Sequence, residues 1–146
     1  MLLPPSLDEM IPSNHPVRVV NRVIDQIDIL PLIRTYKGGG SSSYHPRMLL
    51  KVLIYAYLRN IYSSRQMEDS LKENIYFMWL SGMNQPDHNT INRFRGKRLE
   101  GNLKDIFSAV VSLLAEEGHL SIKEVFVDGT KIEANANRYT FVWGKS

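Results

Sequence analysis

The segment from His45 to Asn60, HPRMLLKVLIYAYLRN, decides the fold of this chain. Its apolar side chains cover nearly the whole circumference of a helix, which predicts a central, buried helix in a mainly α domain. These apolar residues are Met48, Leu49, Leu50, Val52, Leu53, Ile54, Ala56 and Leu58. A proline fits the first turn of a helix, so Pro46 marks its start. The polar side chains recur four residues apart and form a single stripe, made of Arg47, Lys51, Tyr55 and Arg59.

Shorter helices are predicted on both sides of this segment. Residues up to Ile11 are expected to form an extended arm, and a helix with an apolar stripe begins at Asn14-His15-Pro16. After the central helix, the segment from Ser63 to Gln66 has the pattern of a capping box, in which the serine accepts a hydrogen bond from an amide of the new helix. A last helix, from about Asn102 to Glu117, carries apolar residues at helical spacing and ends at Gly118.

A polar helix is predicted from about His88 to Leu99, with Asp87 as its cap. Together with the helix after Ser63 it forms a helix-turn-helix-like arrangement, although the loop from Ser81 to Pro86 is longer than the usual tight turn. Positive charge is concentrated here, since five basic residues and one acidic residue occur between Asn89 and Lys104. Such a local excess is typical of a surface that binds a phosphate backbone.

Two interpretations of this polar helix remain open. In the first, it enters the major groove of DNA, with some side chains near the bases and others on phosphates. The group expected near the bases is Asn89, Thr90, Asn92 and Arg93, and the group expected on phosphates is Arg95, Lys97 and Arg98. We also assign Arg65, on the preceding helix, to DNA binding. In the second interpretation, the helix is a solvated amphipathic element of an all-α domain, since basic helix faces are common.

The spacing of apolar residues changes near the C-terminus. Val125-Phe126-Val127 is predicted to be a buried strand, and Asp128 follows it directly. A carboxylate in this position fits a metal ligand, and it equally fits an Asx turn with Gly129 and Thr130. The chain stops eighteen residues after Asp128, which is too early to supply the further carboxylates that a metal pair requires.

Composition excludes several classes of site. The chain has no cysteine, which rules out disulfides and thiolate metal sites. Its four histidines have no metal-ligand spacing, and the Gly38-Gly39-Gly40 run lacks the lysine of a phosphate-binding loop. No apolar run is long enough to span a membrane, so no membrane partner is expected. The net charge of +3 and the pI of about 9.2 are only mildly basic.

Four segments, at residues 44–51, 62–68, 85–95 and 127–145, together resemble bacterial insertion-sequence transposases of the DDE type. The first three resemble the N-terminal domain of that family: residues 44–51 (YHPRMLLK), 62–68 (YSSRQME) and 85–95 (QPDHNTINRFR). The fourth, residues 127–145 (VDGTKIEANANRYTFVWGK), is similar to the segment that opens the family's catalytic domain. The resemblance implies a helical DNA-binding domain over residues 1–120 and the start of a ribonuclease-H-like domain over residues 121–146.

The resemblance also implies a role for Asp128, as the first acid of the catalytic triad and a ligand of Mg²⁺ or Mn²⁺ in the complete enzyme. No positions match the second aspartate and the glutamate of that triad, so this chain is expected to bind no metal and to be catalytically incomplete. The implied partner is double-stranded DNA at the terminal inverted repeats of an element. A second copy of the chain or an intact transposase is a further possible partner, and the expected location is the bacterial cytoplasm, at the nucleoid. The alternative is a helical protein–protein interaction module or a regulator of an intact transposase.

Overall fold

The computed structural model describes residues 5–28, 44–98 and 103–118, and most of these residues lie in α-helices. The helices are α1 (Leu7–Met10), α2 (Pro16–Gln26), α3 (Pro46–Leu58), α4 (Ser64–Glu73), α5 (Ile75–Leu80), α6 (His88–Arg98) and α7 (Leu103–Glu116). This architecture confirms the prediction of a mainly α fold. The predicted strand at residues 125–127 lies outside the described residues.

Helix α3 is the central element, as its sequence predicted. It packs against α2, α4, α5 and α6, and nine of its thirteen residues are buried. The buried residues of α3 are Pro46, Leu49, Leu50, Val52, Leu53, Ile54, Tyr55, Ala56 and Tyr57. Burying one large aliphatic side chain contributes roughly 1.5–3 kcal/mol to stability. The packing of α3 is therefore the main source of cohesion among the described helices.

Two residues of the polar stripe of α3, Arg47 and Lys51, contact α2, whereas Arg59 is exposed. Arg47 donates hydrogen bonds from Nη1 to the backbone carbonyls of Ile24 and Ile27, the latter at 3.0 Å, at the C-terminal end of α2. The carbonyl of Ile24 also accepts from the amide of Ile27 at 3.3 Å, and a cation beside the last carbonyls of a helix interacts favourably with its dipole. Lys51 donates to Oδ1 of Asn21 at 2.7 Å and pairs with Asp25 at 2.6 Å. These contacts fix how α2 lies along α3.

Two histidine–proline pairs begin helices α2 and α3. In each, Nδ1 of the histidine accepts a hydrogen bond from the second backbone amide after it: His15 from Val17 at 3.0 Å and His45 from Arg47 at 3.1 Å. The ring of His15 also stacks on Tyr76, with ring centroids 4.0 Å apart. The predicted helix starts at Pro16 and Pro46 are confirmed.

The expectation of an extended arm up to Ile11 is wrong, because residues Leu7–Met10 form one helical turn. Ser6 caps this turn by accepting a hydrogen bond from the amide of Glu9 at 3.2 Å. Arg18 then holds the turn in place, with hydrogen bonds to the side chain of Asp8 at 2.9 Å and to the carbonyl of Ile11 at 2.8 Å. So short a turn has little stability of its own, and its contacts with α2 stabilise it.

Two further predicted boundaries are confirmed, the start of α4 after Ser63 and the end of the last helix before Gly118. Ser63 caps α4 by accepting from the amide of Gln66 at 3.4 Å. Asn74 ends α4 and also caps α5, accepting from the amide of Tyr76 at 2.9 Å. Gly118 follows α7 with a φ of +81°, the left-handed conformation that favours glycine at this position. Within the described residues, no helix combines the length and the apolar character needed to cross a membrane.

Candidate nucleic-acid interface

Helices α4 and α6 pack against each other, and α5 and the segment 81–87 connect them. Asp87 caps α6, because its Oδ1 accepts a hydrogen bond from the amide of Thr90 at 2.8 Å. This hydrogen bond, together with one from the Thr90 side chain, lowers the pKa of Asp87 below its usual value. The predicted cap is therefore confirmed, and Asp87 is held in its charged form.

A second carboxylate reaches the same end of α6 from α4. One oxygen of Glu68, Oε1, accepts from the backbone amide of His88 at 2.8 Å and lies 3.0 Å from Nδ1 of its ring. Because a carboxylate only accepts, Nδ1 carries the proton in this contact. The hydrogen bonds from His88 lower the pKa of Glu68, and Lys72, 3.5 Å from its other oxygen, adds to the effect.

Sequence reasoning missed the contact between Glu68 and His88. The two residues are 20 positions apart, so no local pattern links them. Glu68 is at i−4 from Lys72, and that spacing alone suggests an ordinary pair on one helix surface. Only the packing of α4 on α6 shows that this carboxylate also bonds an amide in the first turn of the polar helix.

The side chains predicted to approach DNA bases lie on α6 with different exposures. Asn89 and Arg93, one helical turn apart, are exposed, and Thr90 and Asn92 are partly exposed. Arg65, in the first turn of α4, is also exposed. The buried side of α6 consists of Ile91 and Phe94, as predicted, together with Arg95. Lys97 and Arg98 belong to the last turn of α6, but their side chains lie outside the described residues.

Arg95 is a correction to the sequence analysis, which left it for solvent or a phosphate. Its side chain is only 6% exposed. Nη1 donates to the backbone carbonyl of Tyr62 at 2.6 Å and to the hydroxyl of Tyr57 at 3.3 Å, and Nη2 donates to Oδ1 of Asn92 at 2.9 Å. Arg95 therefore joins α6 to the C-terminal end of α3 and to the residues that follow it.

The spacing of residues explains why Arg95 is buried. Ile91, Phe94 and Arg95 stand at i, i+3 and i+4, so they occupy one side of the helix. Glycine follows at position 96, and α6 continues through it without interruption. The charge of Arg95 suggested an exposed side chain, but an arginine whose guanidinium is hydrogen-bonded can be buried.

A shallow groove of about 590 Å³ lies beside α4. It is lined by Asn60, Ile61, Gln66, Asp69, Ser70, Glu73 and Asn74. Its charged residues, Asp69 and Glu73, are both acidic and would repel phosphate groups. This groove therefore does not extend the candidate interface.

The residue implied to bind a metal, Asp128, lies outside the described residues. Within the residues that the structure does describe, no three or more His, Asp or Glu side chains are grouped so that they could hold a metal ion. Asp87 and Glu68 act on backbone amides at the start of α6.

Residues 5–97 match the model of a protein family described as Transposase domain (DUF772). No curated protein and no solved structure matches the chain. The matched segment contains α1 to α5 and all but the last residue of α6, so it includes the contact between α4 and α6. Because it covers more than half of the 146 residues, the chain belongs to this family of transposase domains.

Proposed function

We propose that this chain is the DNA-binding N-terminal region of a DDE-type transposase and that it recognises the inverted repeats at the ends of an insertion sequence. One observation carries the proposal: in a chain of the transposase domain family, α6 presents exposed Asn89 and Arg93 on a helix braced by α4. The arrangement of α4 and α6 would serve as a helix-turn-helix-like element with an enlarged turn.

In this proposal, α6 lies in the major groove. Arg93 suits guanine, because a guanidinium can donate two hydrogen bonds to O6 and N7 of that base. Asn89 and Thr90, in the first turn, are close enough to the helix end to reach base edges. Arg65 on α4, with Lys97 and Arg98 at the far end of α6, would bind phosphates and set the register of the protein on the duplex.

The carboxylates at the start of α6 constrain how DNA can approach. Helix N-termini often bind phosphates through their free amides. Here Asp87 and Glu68 already accept hydrogen bonds from the amides of Thr90 and His88. Their negative charges would also repel a phosphate at that position. DNA recognition is therefore assigned to the side chains of α6 rather than to its N-terminal amides.

The same proposal assigns Asp128 to the catalytic centre of the complete enzyme. It would be the first acid of a ribonuclease-H-like domain, and a bound Mg²⁺ or Mn²⁺ would activate water or a 3′-hydroxyl for attack on a phosphodiester. This assignment rests on the resemblance of residues 127–145 to that domain. It is independent of the proposed role of α6.

A binding assay with two variants tests the proposed DNA surface. The 146-residue chain is titrated against duplexes from the ends of the encoding element and against scrambled duplexes, over a range of salt concentrations. Arg93→Ala should weaken binding by roughly 1–3 kcal/mol and reduce the preference for element ends. Arg22→Ala is the matched control, since Arg22 is an exposed arginine on α2 that pairs with Glu117.

The possible results separate the candidate functions. A stronger preference for element ends in the parent than in Arg93→Ala, with Arg22→Ala unchanged, supports the proposal. Equal affinity for all duplexes at every salt concentration would reject sequence-specific recognition. No DNA affinity in the parent, combined with binding to an intact transposase, would instead support the protein–protein interaction module.

A further inference from the structure

The side-chain amide of Asn92 is held in one orientation by the buried arginine beside it. Nη2 of Arg95 lies 2.9 Å from Oδ1 of Asn92. A guanidinium has donors only, so the atom of Asn92 that faces it must be the amide oxygen. The same guanidinium is fixed by the carbonyl of Tyr62 at 2.6 Å and the hydroxyl of Tyr57 at 3.3 Å. Asn92 therefore cannot exchange its oxygen and nitrogen without losing a charge-assisted hydrogen bond.

This orientation decides what Asn92 can offer to a ligand. Its oxygen is directed to a buried cation, and its Nδ2 group carries two hydrogens that can be donated. Asn92 is partly exposed. In the sequence of α6 it follows Asn89 by three residues and directly precedes Arg93. A free asparagine would read adenine by accepting from N6 and donating to N7 at the same time. Fixing the oxygen on Arg95 disfavours that paired contact.

We propose that Asn92 contacts DNA as a hydrogen-bond donor and so selects an acceptor, with guanine as the preferred base; this inference rests on the proposed function. Guanine presents two acceptors, O6 and N7, in the major groove. A phosphate oxygen offers the same acceptor chemistry. Arg95 is then a positioning residue for Asn92, and it acts from inside the protein without touching DNA.

Replacing the amide by a carboxylate gives a sharp test. In Asn92→Asp, one carboxylate oxygen keeps the contact with Arg95 as an ion pair, while the outward donor becomes an acceptor. The fold should therefore remain intact, with a melting temperature at or above that of the parent. Asn92→Ala removes both the donor and the bond to Arg95. Asn21→Asp is the matched control, because Asn21 on α2 also bonds a cation, Lys51, through its side-chain oxygen.

The 146-residue chain and the three variants are each used to select duplexes from a random-sequence pool, and their affinities for the selected duplexes are measured. We expect the parent and Asn21→Asp to enrich guanine at a second position, in addition to the guanine assigned to Arg93. Asn92→Asp should lose about tenfold in affinity for that sequence and shift its preference towards cytosine, whose N4 group donates. Asn92→Ala should lose the guanine preference at the second position only, without gaining a preference for another base there.

Each result bears on the inference. A loss in Asn92→Asp that is confined to one base position identifies a base edge as the acceptor, and an equal loss on every duplex identifies a phosphate oxygen; both support a donating Asn92. Parent-like affinity and selection in Asn92→Asp would overturn the inference and leave the proposed function standing. So would selection of adenine by the parent that is lost in Asn92→Ala. A parent that binds no DNA would overturn the proposed function, and this inference with it.

Discussion

The carboxylate of Glu68 on α4 accepts a hydrogen bond from the backbone amide of His88, at the first residue of α6, with a donor–acceptor distance of 2.8 Å. The bond joins two helices whose relative position determines how α6 is presented. The first amides of a helix have no acceptor within the helix, and a residue that precedes the helix usually provides one. Here Glu68, on a different helix, provides the acceptor for one of these amides. The position of α6 thus depends on a residue of another helix.

Replacing Glu68 with glutamine should lower the melting temperature. The amide side chain keeps the size of glutamate but accepts more weakly from the amide and the ring of His88, because it has lost its charge. Glu73→Gln is the matched control, since Glu73 is an exposed glutamate at the end of the same helix. Thermal unfolding followed by circular dichroism measures both. Equal melting temperatures for the two variants would show that the Glu68 contact does not stabilise the fold.

Removing the cap of α6 should also destabilise the protein. Asp87→Ala deprives the amide of Thr90 of its acceptor, which costs about 1 kcal/mol in free energy of unfolding. Asp87→Asn should retain most of that stability, because asparagine caps helices about as well as aspartate. Urea unfolding of the parent and both variants provides the comparison. If Asp87→Asn were as unstable as Asp87→Ala, charge rather than capping would be the important property of Asp87.

Acid should weaken the start of α6. The pKa values of Glu68 and Asp87 are lowered by folding from their ordinary values of 4.5 and 3.8, so the unfolded chain binds more protons than the folded chain at acidic pH. Their stabilising contribution is therefore complete above the unfolded pKa values and is lost as the pH falls through the lower, folded ones. Unfolding free energies of the parent and of a Glu68→Gln, Asp87→Asn double variant should converge as the pH is lowered from 7 to 3. A difference that stayed constant over this range would contradict the assignment.

Two arginines of α6, at positions 93 and 95, should respond to substitution in opposite ways. Arg95→Leu leaves the carbonyl of Tyr62 and the side chain of Asn92 without their donor, and should cost about 1–3 kcal/mol in free energy of unfolding. Arg93→Leu removes an exposed side chain and should change stability by less than about 0.5 kcal/mol while weakening DNA binding. Urea unfolding and a DNA-binding assay on both variants test this contrast. Unchanged stability in Arg95→Leu would show that its buried hydrogen bonds are dispensable.

Much of the helical framework could be predicted from local patterns. The apolar residues around the whole of α3 required a buried position, and Pro16, Pro46 and Asp87 marked helix starts through backbone chemistry that acts within a few residues. The one-turn helix α1 escaped prediction because Arg18, ten residues beyond Asp8, stabilises it. A local pattern does not contain such a contact.

The candidate site was less predictable than the framework. The exposure of Asn89 and Arg93 followed from their spacing, since both fall opposite Ile91 and Phe94 on α6. The burial of Arg95 depended on acceptors at Tyr57 and Tyr62, which only the packing of α3 and α6 brings near. The spacing of Arg95 from Ile91 is compatible with a buried position. The sequence alone does not reveal that hydrogen-bond acceptors for its guanidinium lie nearby in the folded protein.

Asn74 is both the C-terminal cap of α4 and the N-terminal cap of α5, so the two helices meet at a single residue. If α6 reorients relative to α4 on a curved duplex, the change has to be accommodated in the segment from residue 81 to residue 87. That segment already contains Gly82 and Met83 in left-handed conformations, with φ of +62° and +66°. The length and composition of segment 81–87, rather than the junction at Asn74, would then limit how far α4 and α6 can change their relative orientation on a bent duplex.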